Sequence, residues 1–115
     1  MNTIKTTIEN IIANPKSITF QEVISIIDEN YDFTPTAFQN GKTFNEVNQN
    51  NGSCKLFSFA LLNELSKEQT LTLFGDYYFK DVLENPNGTD HQNIRNFMIY
   101  GWEGIEIKGV ALVKK

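Results

Sequence analysis

NNGSCKLFSFALLNELSKEQTLTLFGDYYFKDVL, residues 50–83, reads as a polar turn, a short apolar helix, a two-residue break and a second, longer apolar helix. Ser53 has the chemistry of an N-cap, since its hydroxyl can accept a backbone N–H of the turn that follows. Ser66 repeats the device, and Gln69 three residues on completes a capping box. Between these caps Phe57, Ala60, Leu61 and Leu65 are spaced for one helical face. Beyond them Leu71, Phe74, Tyr78 and Val82 make a stripe that Leu73, Tyr77, Phe79 and Leu83 widen, leaving little of the second helix for water. Gly75 would cost about 1 kcal/mol in an exposed helix, so its use here predicts the close approach of another backbone. The pair is read as the core.

The flanking segments are built to dock on such a centre. Ile4, Ile8, Ile11 and Ile12 form a short helical stripe ending before Asn14-Pro15, where proline disfavours helix in its neighbour. Thr19 and Glu22 make another capping box, followed by an amphipathic helix carrying Phe20, Val23, Ile24 and Ile27 and closing near Asn30. Then the chain changes character. Asn40-Gly41 is a favoured hairpin turn, with residues 36–39 and 42–45 as arms. A lone hairpin is marginal in water, and GIEIKGVALVKK offers a third strand with Ile105 and Ile107 on one face. The alternative is a long loop pinned by its many Asn side chains. Pro86 ends the central helix, and Thr89 with Gln92 repeats the S/T-x-x-E/Q pattern before a last helix bearing Ile94, Phe97, Met98 and Gly101. The fold class is therefore α+β, mostly α-helical. About five helices surround a central apolar pair, with a small β-hairpin or short antiparallel sheet over residues 36–45 and 104–113, all in one domain, residues 1–115.

At 115 residues the chain can bury a self-sufficient core. A formal charge of −4 argues against nucleic acid, where basic patches supply most of the affinity. No apolar run approaches the roughly 20 residues that span a bilayer. The amphipathic N-terminus carries Glu9 and lacks the apolar region of a classical signal peptide. One cysteine excludes an internal disulfide and fits a reducing, cytoplasmic setting.

Cys54 and His91 are the sole thiol and the sole imidazole, each placed in the first turn of a helix. A helix N-terminus lowers a thiol pKa, and an adjacent imidazole would complete a nucleophile–base pair. A buried Cys serving as a small hydrophobe is the plainer reading. Arg95 shares a helix face with His91, with Trp102 near its end; such a group can receive a carboxylate or phosphate. The plainer reading pairs Arg95 with Asp76, Asp81 or Asp90. Asp76 with Lys80 is an ordinary i, i+4 pair, whereas a buried Asp76 would need Arg95 or the Tyr77 and Tyr78 hydroxyls. Asn93, Asn40 and Asn50 add amide donors and acceptors. One Cys and one His cannot close a zinc site, the Asn-rich loop lacks the carboxylates of a calcium loop, and GSCK lacks the glycine pattern of a phosphate loop. The pattern calls for no metal and no cofactor.

The words TPTAFQNG (34–41), NGSCKLFSFALLN (51–63), LFGDYYFKDVL (73–83) and DHQNIRNFM (90–98), in that order, resemble the HopJ family, whose name derives from plant-pathogen type III effectors. The matching positions are Asn40, Gly41, Asn45, Asn50, Gly52, Ser53, Cys54, Lys55, Gly75, Asp76, Tyr77, Tyr78, Asp90, His91, Asn93, Arg95 and Trp102. One departure is Val47-Asn48, where the family pattern has Ala-Gly. The resemblance carries no established activity. Three functional expectations follow. The first is an interaction or regulatory domain, not an enzyme, with a polar surface built from the Asn40–Lys55 loop and the His91 helix. The second is a small-ligand binder or hydrolase-like enzyme using Cys54 and His91, with Asp76 as a further catalytic candidate. Ligand contacts would then come from Arg95, Tyr77, Tyr78, Asn93, Trp102, Asn40 and Asn50. The third is an effector exported through a type III system to act on a host protein. The partner is accordingly a protein or a small polar ligand.

Overall fold

Two of the three S/T-x-x-E/Q patterns start helices in the computed structural model, which describes residues 4–115. Helix α1 (Ile4–Ala13) stops before Pro15, and a single 3-10 turn leads into α2 (Phe20–Asn30). At the start of α2 the Thr19 hydroxyl accepts the Glu22 N–H, and the Glu22 carboxylate accepts the Thr19 N–H, both at 3.1 Å. Short strands β1 (Tyr31–Phe33), β2 (Phe38–Asn40) and β3 (Thr43–Asn45) follow, then α3 (Asn51–Leu62) and α4 (Lys67–Thr72). Ser66 and Gln69 close the second capping box, at the head of α4. A π-helical turn (Tyr77–Val82), α5 (Gln92–Tyr100), a 3-10 turn and strands β4 (Ile105–Ile107) and β5 (Leu112–Lys114) complete the chain.

Helix α3 is the centre. Leu56, Phe57, Phe59 and Ala60 are fully buried, and the Phe57 ring lies 5.0–6.3 Å from those of Phe38, Phe74, Phe97 and Trp102. Edge-to-face and tilted pairs of this kind add to the area they bury. Leu61 departs from the expected face, at 46% exposed, while Leu56 and Phe59, which lie outside that face, are fully buried.

The expected long second helix is split. Gly75 adopts φ +61, so α4 ends after six residues and the π turn starts afresh. The close approach predicted for Gly75 is real: a Cβ there would lie 3.1 Å from the Phe20 backbone nitrogen and 3.5 Å from the Ile18 carbonyl oxygen. The apolar stripe runs through the break because both pieces pack on the same core.

The hairpin forms with its loop one residue later than expected. Phe38 pairs with Asn45 and Asn40 with Thr43, leaving Gly41-Lys42 as the loop. Gly41 alone takes positive φ, and its N–H donates to the Gly104 carbonyl at 2.9 Å. Asn40 thereby belongs to the strand and points inward, because it lies two residues after the buried Phe38 and shares its face. Strand β4 adds to β2 as the anticipated third strand. Strand β5 instead pairs with β1, closing a second, two-stranded sheet.

Two helix starts also differ. Ser53 is not the cap of α3; that position falls to Asn50, at φ +53, with no side-chain cap. Thr89 and Gln92 form no capping box. Gln92 donates its side-chain N–H to the Thr89 carbonyl, and α5 begins after His91 at φ +50. Asn48 at φ +70 stands where the family pattern has glycine, and Asn is among the residues that tolerate the left-handed region best.

Candidate functional site

The two uncapped helix starts are fixed in place by a buried cluster of asparagines. Asn40 donates to the Asn93 carbonyl and side-chain oxygens at 2.8 and 3.0 Å, and Asn45 donates to the same side-chain oxygen at 3.1 Å. In return, the Asn45 Oδ1 accepts Asn93 at 3.0 Å and Asn50 at 2.6 Å. Asn45 therefore ties Asn50, at the head of α3, to Asn93, in the first turn of α5. Asn40, Asn45 and Asn93 are all buried, so every bond in this cluster matters. The Asn40 Oδ1 has no partner among the described residues.

Between those helix starts lies a cavity of about 420 Å³. One wall is Asn50, Gly52 and Ser53 from α3; the facing wall is His91, Gln92, Asn93 and Ile94 from α5. Phe20, Phe74 and Tyr77 form the apolar side, and Thr43 reaches in from β3. Gly52 presents backbone alone, and a Cβ there would meet the Phe20 ring at 2.9 Å. The first N–H groups of a helix have no intrahelical acceptor, and neither α3 nor α5 has a side-chain cap to satisfy them. Gly52 and Ser53 of one first turn and Gln92 and Asn93 of the other line the same space.

His91 stands at the mouth with its Nε2 3.0 Å from Asp81 and 3.8 Å from Asp90. Its ring lies 5.2 Å from that of Tyr77. Asp81, on the π turn, orients the imidazole through Nε2 and leaves Nδ1 to other partners.

Among the residues singled out from the sequence, Asn50, Tyr77, His91 and Asn93 line this cavity, and Asn40 supports it through Asn93. The others lie elsewhere. Cys54 is fully buried with its Sγ 3.5 Å from the Thr36 carbonyl; burial pushes its thiol pKa up, against smaller opposing effects of Thr36 and Ser58. Arg95 spends its guanidinium on the loop before α5: Nη2 on the Asp90 carboxylate at 2.7 Å, Nε on the Asp90 carbonyl and Nη1 on the Asn85 carbonyl. That bond holds the Asp90 carboxyl below the usual carboxylate range. Trp102 donates its indole N–H to the Leu65 carbonyl at 3.0 Å and packs on Phe97. Asp76 is exposed, 3.8 Å from Lys80, and lines an adjoining hollow. Tyr78 packs beside Phe79, and burial with the nearby Glu68 charge pushes its hydroxyl pKa up. Among the described residues no cluster of His, Cys, Asp or Glu could hold a metal ion.

Gly52, Ser53, Gln92 and Asp81 are site residues that the sequence reading placed in other roles. Their one local signal is Asn-Asn-Gly at 50–52, a run tolerant of left-handed backbone.

A family model described as HopJ type III effector protein matches residues 4–112. The chain belongs to the HopJ family. This HopJ chain is similar to a solved structure, that of the unknown-function protein VPA0580. The two are 50% identical, the match covers 100% of this chain and 95% of that one, and the TM-score is 0.97. No curated protein matches the HopJ chain. Among its described residues no helix is long and apolar enough to cross a membrane.

Proposed function

We propose that this HopJ protein binds a small acidic molecule in the cavity between α3 and α5. The observation that carries the reading is that the first turns of two uncapped helices line one cavity. Such ends attract anions through free N–H groups and the helix dipole together. A cavity of about 420 Å³ is within the range of small-molecule sites. The left-handed residues at both helix heads support it further, since strained non-glycine backbone gathers at functional sites. Cys54 is given no part, being buried among core residues and not among those that line the cavity.

Thermal melts in rising acetate or inorganic phosphate, with ionic strength matched by chloride, test this reading. A ligand that binds only the folded state raises Tm in step with its occupancy. The expected result is a saturable rise that Ser53→Glu abolishes, because it places a fixed carboxylate in the first turn of α3. No rise with either anion contradicts the proposal.

A protein-binding role is the second reading. It is favoured by a groove lined by Val82, Leu83, Met98 and Ile99, where Leu83 and Ile99 are 44% and 71% exposed. The family's description as a type III effector adds a setting, delivery into a host cell. A secretion assay in a strain with and without the export apparatus would test that setting, with apparatus-dependent release as the expected result.

A further inference from the structure

Independently of the cavity, we propose that Asn87 is a site of spontaneous deamidation, singled out by the fold from three Asn-Gly pairs: Asn40-Gly41, Asn51-Gly52 and Asn87-Gly88. The reaction needs the Asn side chain to reach the next backbone nitrogen. That nitrogen loses its proton to solvent base and bonds to the side-chain amide carbon. The carbon–nitrogen bond of the side-chain amide then breaks, and its nitrogen leaves as ammonia with a proton from water. A second water opens the five-membered imide at either carbonyl, giving aspartate or isoaspartate, in which the chain runs through the side chain. Glycine is the favourable successor, because it has no side chain to crowd the nitrogen.

Two of the pairs are locked. Asn40 is fully buried in β2, its side-chain nitrogen donating to the Asn93 carbonyl at 2.8 Å. The Gly41 N–H donates to the Gly104 carbonyl, and the Tyr100 ring lies against Gly41. Asn51 opens α3, where a helical side chain leans back over the preceding turn, away from the nitrogen that follows. Its side-chain nitrogen reaches back to Asn48 at 3.4 Å. Asn87 has neither restraint. It stands between the π turn and α5, where residues 83–90 are all exposed. The Gly88 N–H donates to the Asn85 carbonyl at 3.0 Å, and Arg95 Nη1 donates to that same carbonyl at 3.0 Å. The acceptor therefore keeps a partner when the Gly88 N–H turns away, which lowers the cost of opening this surface turn.

The product changes what Arg95 holds. Gly88 sits so close that a Cβ there would lie 2.6 Å from Arg95 Nη2 and 3.2 Å from Asp90 Oδ1. Isoaspartate inserts an extra backbone carbon directly before this fit. The grip of Arg95 on the Asn85 carbonyl and the Asp90 carboxylate is thereby loosened.

The test ages the full chain at mildly alkaline pH, folded and in guanidinium, and locates the amide-to-acid mass gain by peptide mass spectrometry. In the folded chain Asn87 should convert at least about tenfold faster than Asn40 or Asn51, whereas the unfolded chain should convert all three at comparable rates. Asn87→Gln should age without the early acidic species. The aged chain should melt lower than both the fresh protein and Asn87→Asp, which carries the charge without the extra backbone carbon. Folded-state conversion of Asn40 or Asn51 as fast as that of Asn87, or no conversion at Asn87, overturns the site. The same ranking in the unfolded chain overturns its selection by the fold. An aged chain that melts with Asn87→Asp overturns the loosened grip of Arg95.

Discussion

Helices α2 and α4 begin in closed capping boxes; α3 and α5 begin at left-handed residues with no cap at all. In the first pair two of the N–H groups at the helix start are answered by side chains three residues away, so the end is finished locally. The second pair leaves its N–H groups open and relies on a distant contact, the Asn45 bridge between Asn50 and Asn93. The difference separates two tasks. Closed starts fix where a helix lies, whereas open starts, held by tertiary bonds, keep backbone donors available to something else.

The hardest challenge to that contrast is to remove what holds α3 by packing. Phe57→Ala should cost about 3–5 kcal/mol in chemical denaturation, because its ring touches four others. A loss below 1 kcal/mol, on the order of a surface change, would mean that α3 is not anchored there. Asn45→Ala strikes the bridge and should cost about 1–3 kcal/mol, since it leaves buried Asn93 groups without partners; an unchanged denaturation midpoint would show that the open starts are not tied through it. Thr19→Ala, at a closed start, should cost about 1 kcal/mol and leave the response to acetate unchanged. If it altered that response, open and closed ends would not be distinct in function.

The smallest effect concerns pH. Arg95 holds the folded Asp90 pKa below its ordinary value, so this carboxylate stabilises the fold above the unfolded carboxylate pKa. That contribution is lost as pH falls through the folded value. Asp90→Asn should therefore lessen the fall in stability below about pH 4, read from denaturation midpoints across the acid range. An identical acid limb in the variant would contradict the pairing.

What could be read in the sequence was what local chemistry decides. The boxes at Thr19 and Ser66 need only residues three apart, and both are present. The third, Thr89–Gln92, has the same letters, but tertiary bonds from Asn40 and Asn45 claim the head of α5 through Asn93. Gly75 was legible as a close approach to another backbone but not as a break, since an apolar stripe does not register a change in backbone direction. The β1–β5 pairing joins residues 31–33 to residues 112–114, and no local pattern encodes it. At the site, rarity draws the eye to Cys54, His91 and Arg95, yet only His91 of these lines the cavity. Phe20 and Phe74 read as core, and they are also wall. A hydrophobic pattern shows that a ring is shielded from bulk water without showing what shields it.

The most direct measurement is an acetate titration followed through backbone amide resonances of the full chain. The account predicts that Gly52, Ser53, Gln92 and Asn93 shift together with a single dissociation constant, while Glu22 and Gln69 at the closed starts hold still. Silent amides at Gly52 and Gln92, or equal shifts at open and closed starts, would contradict it.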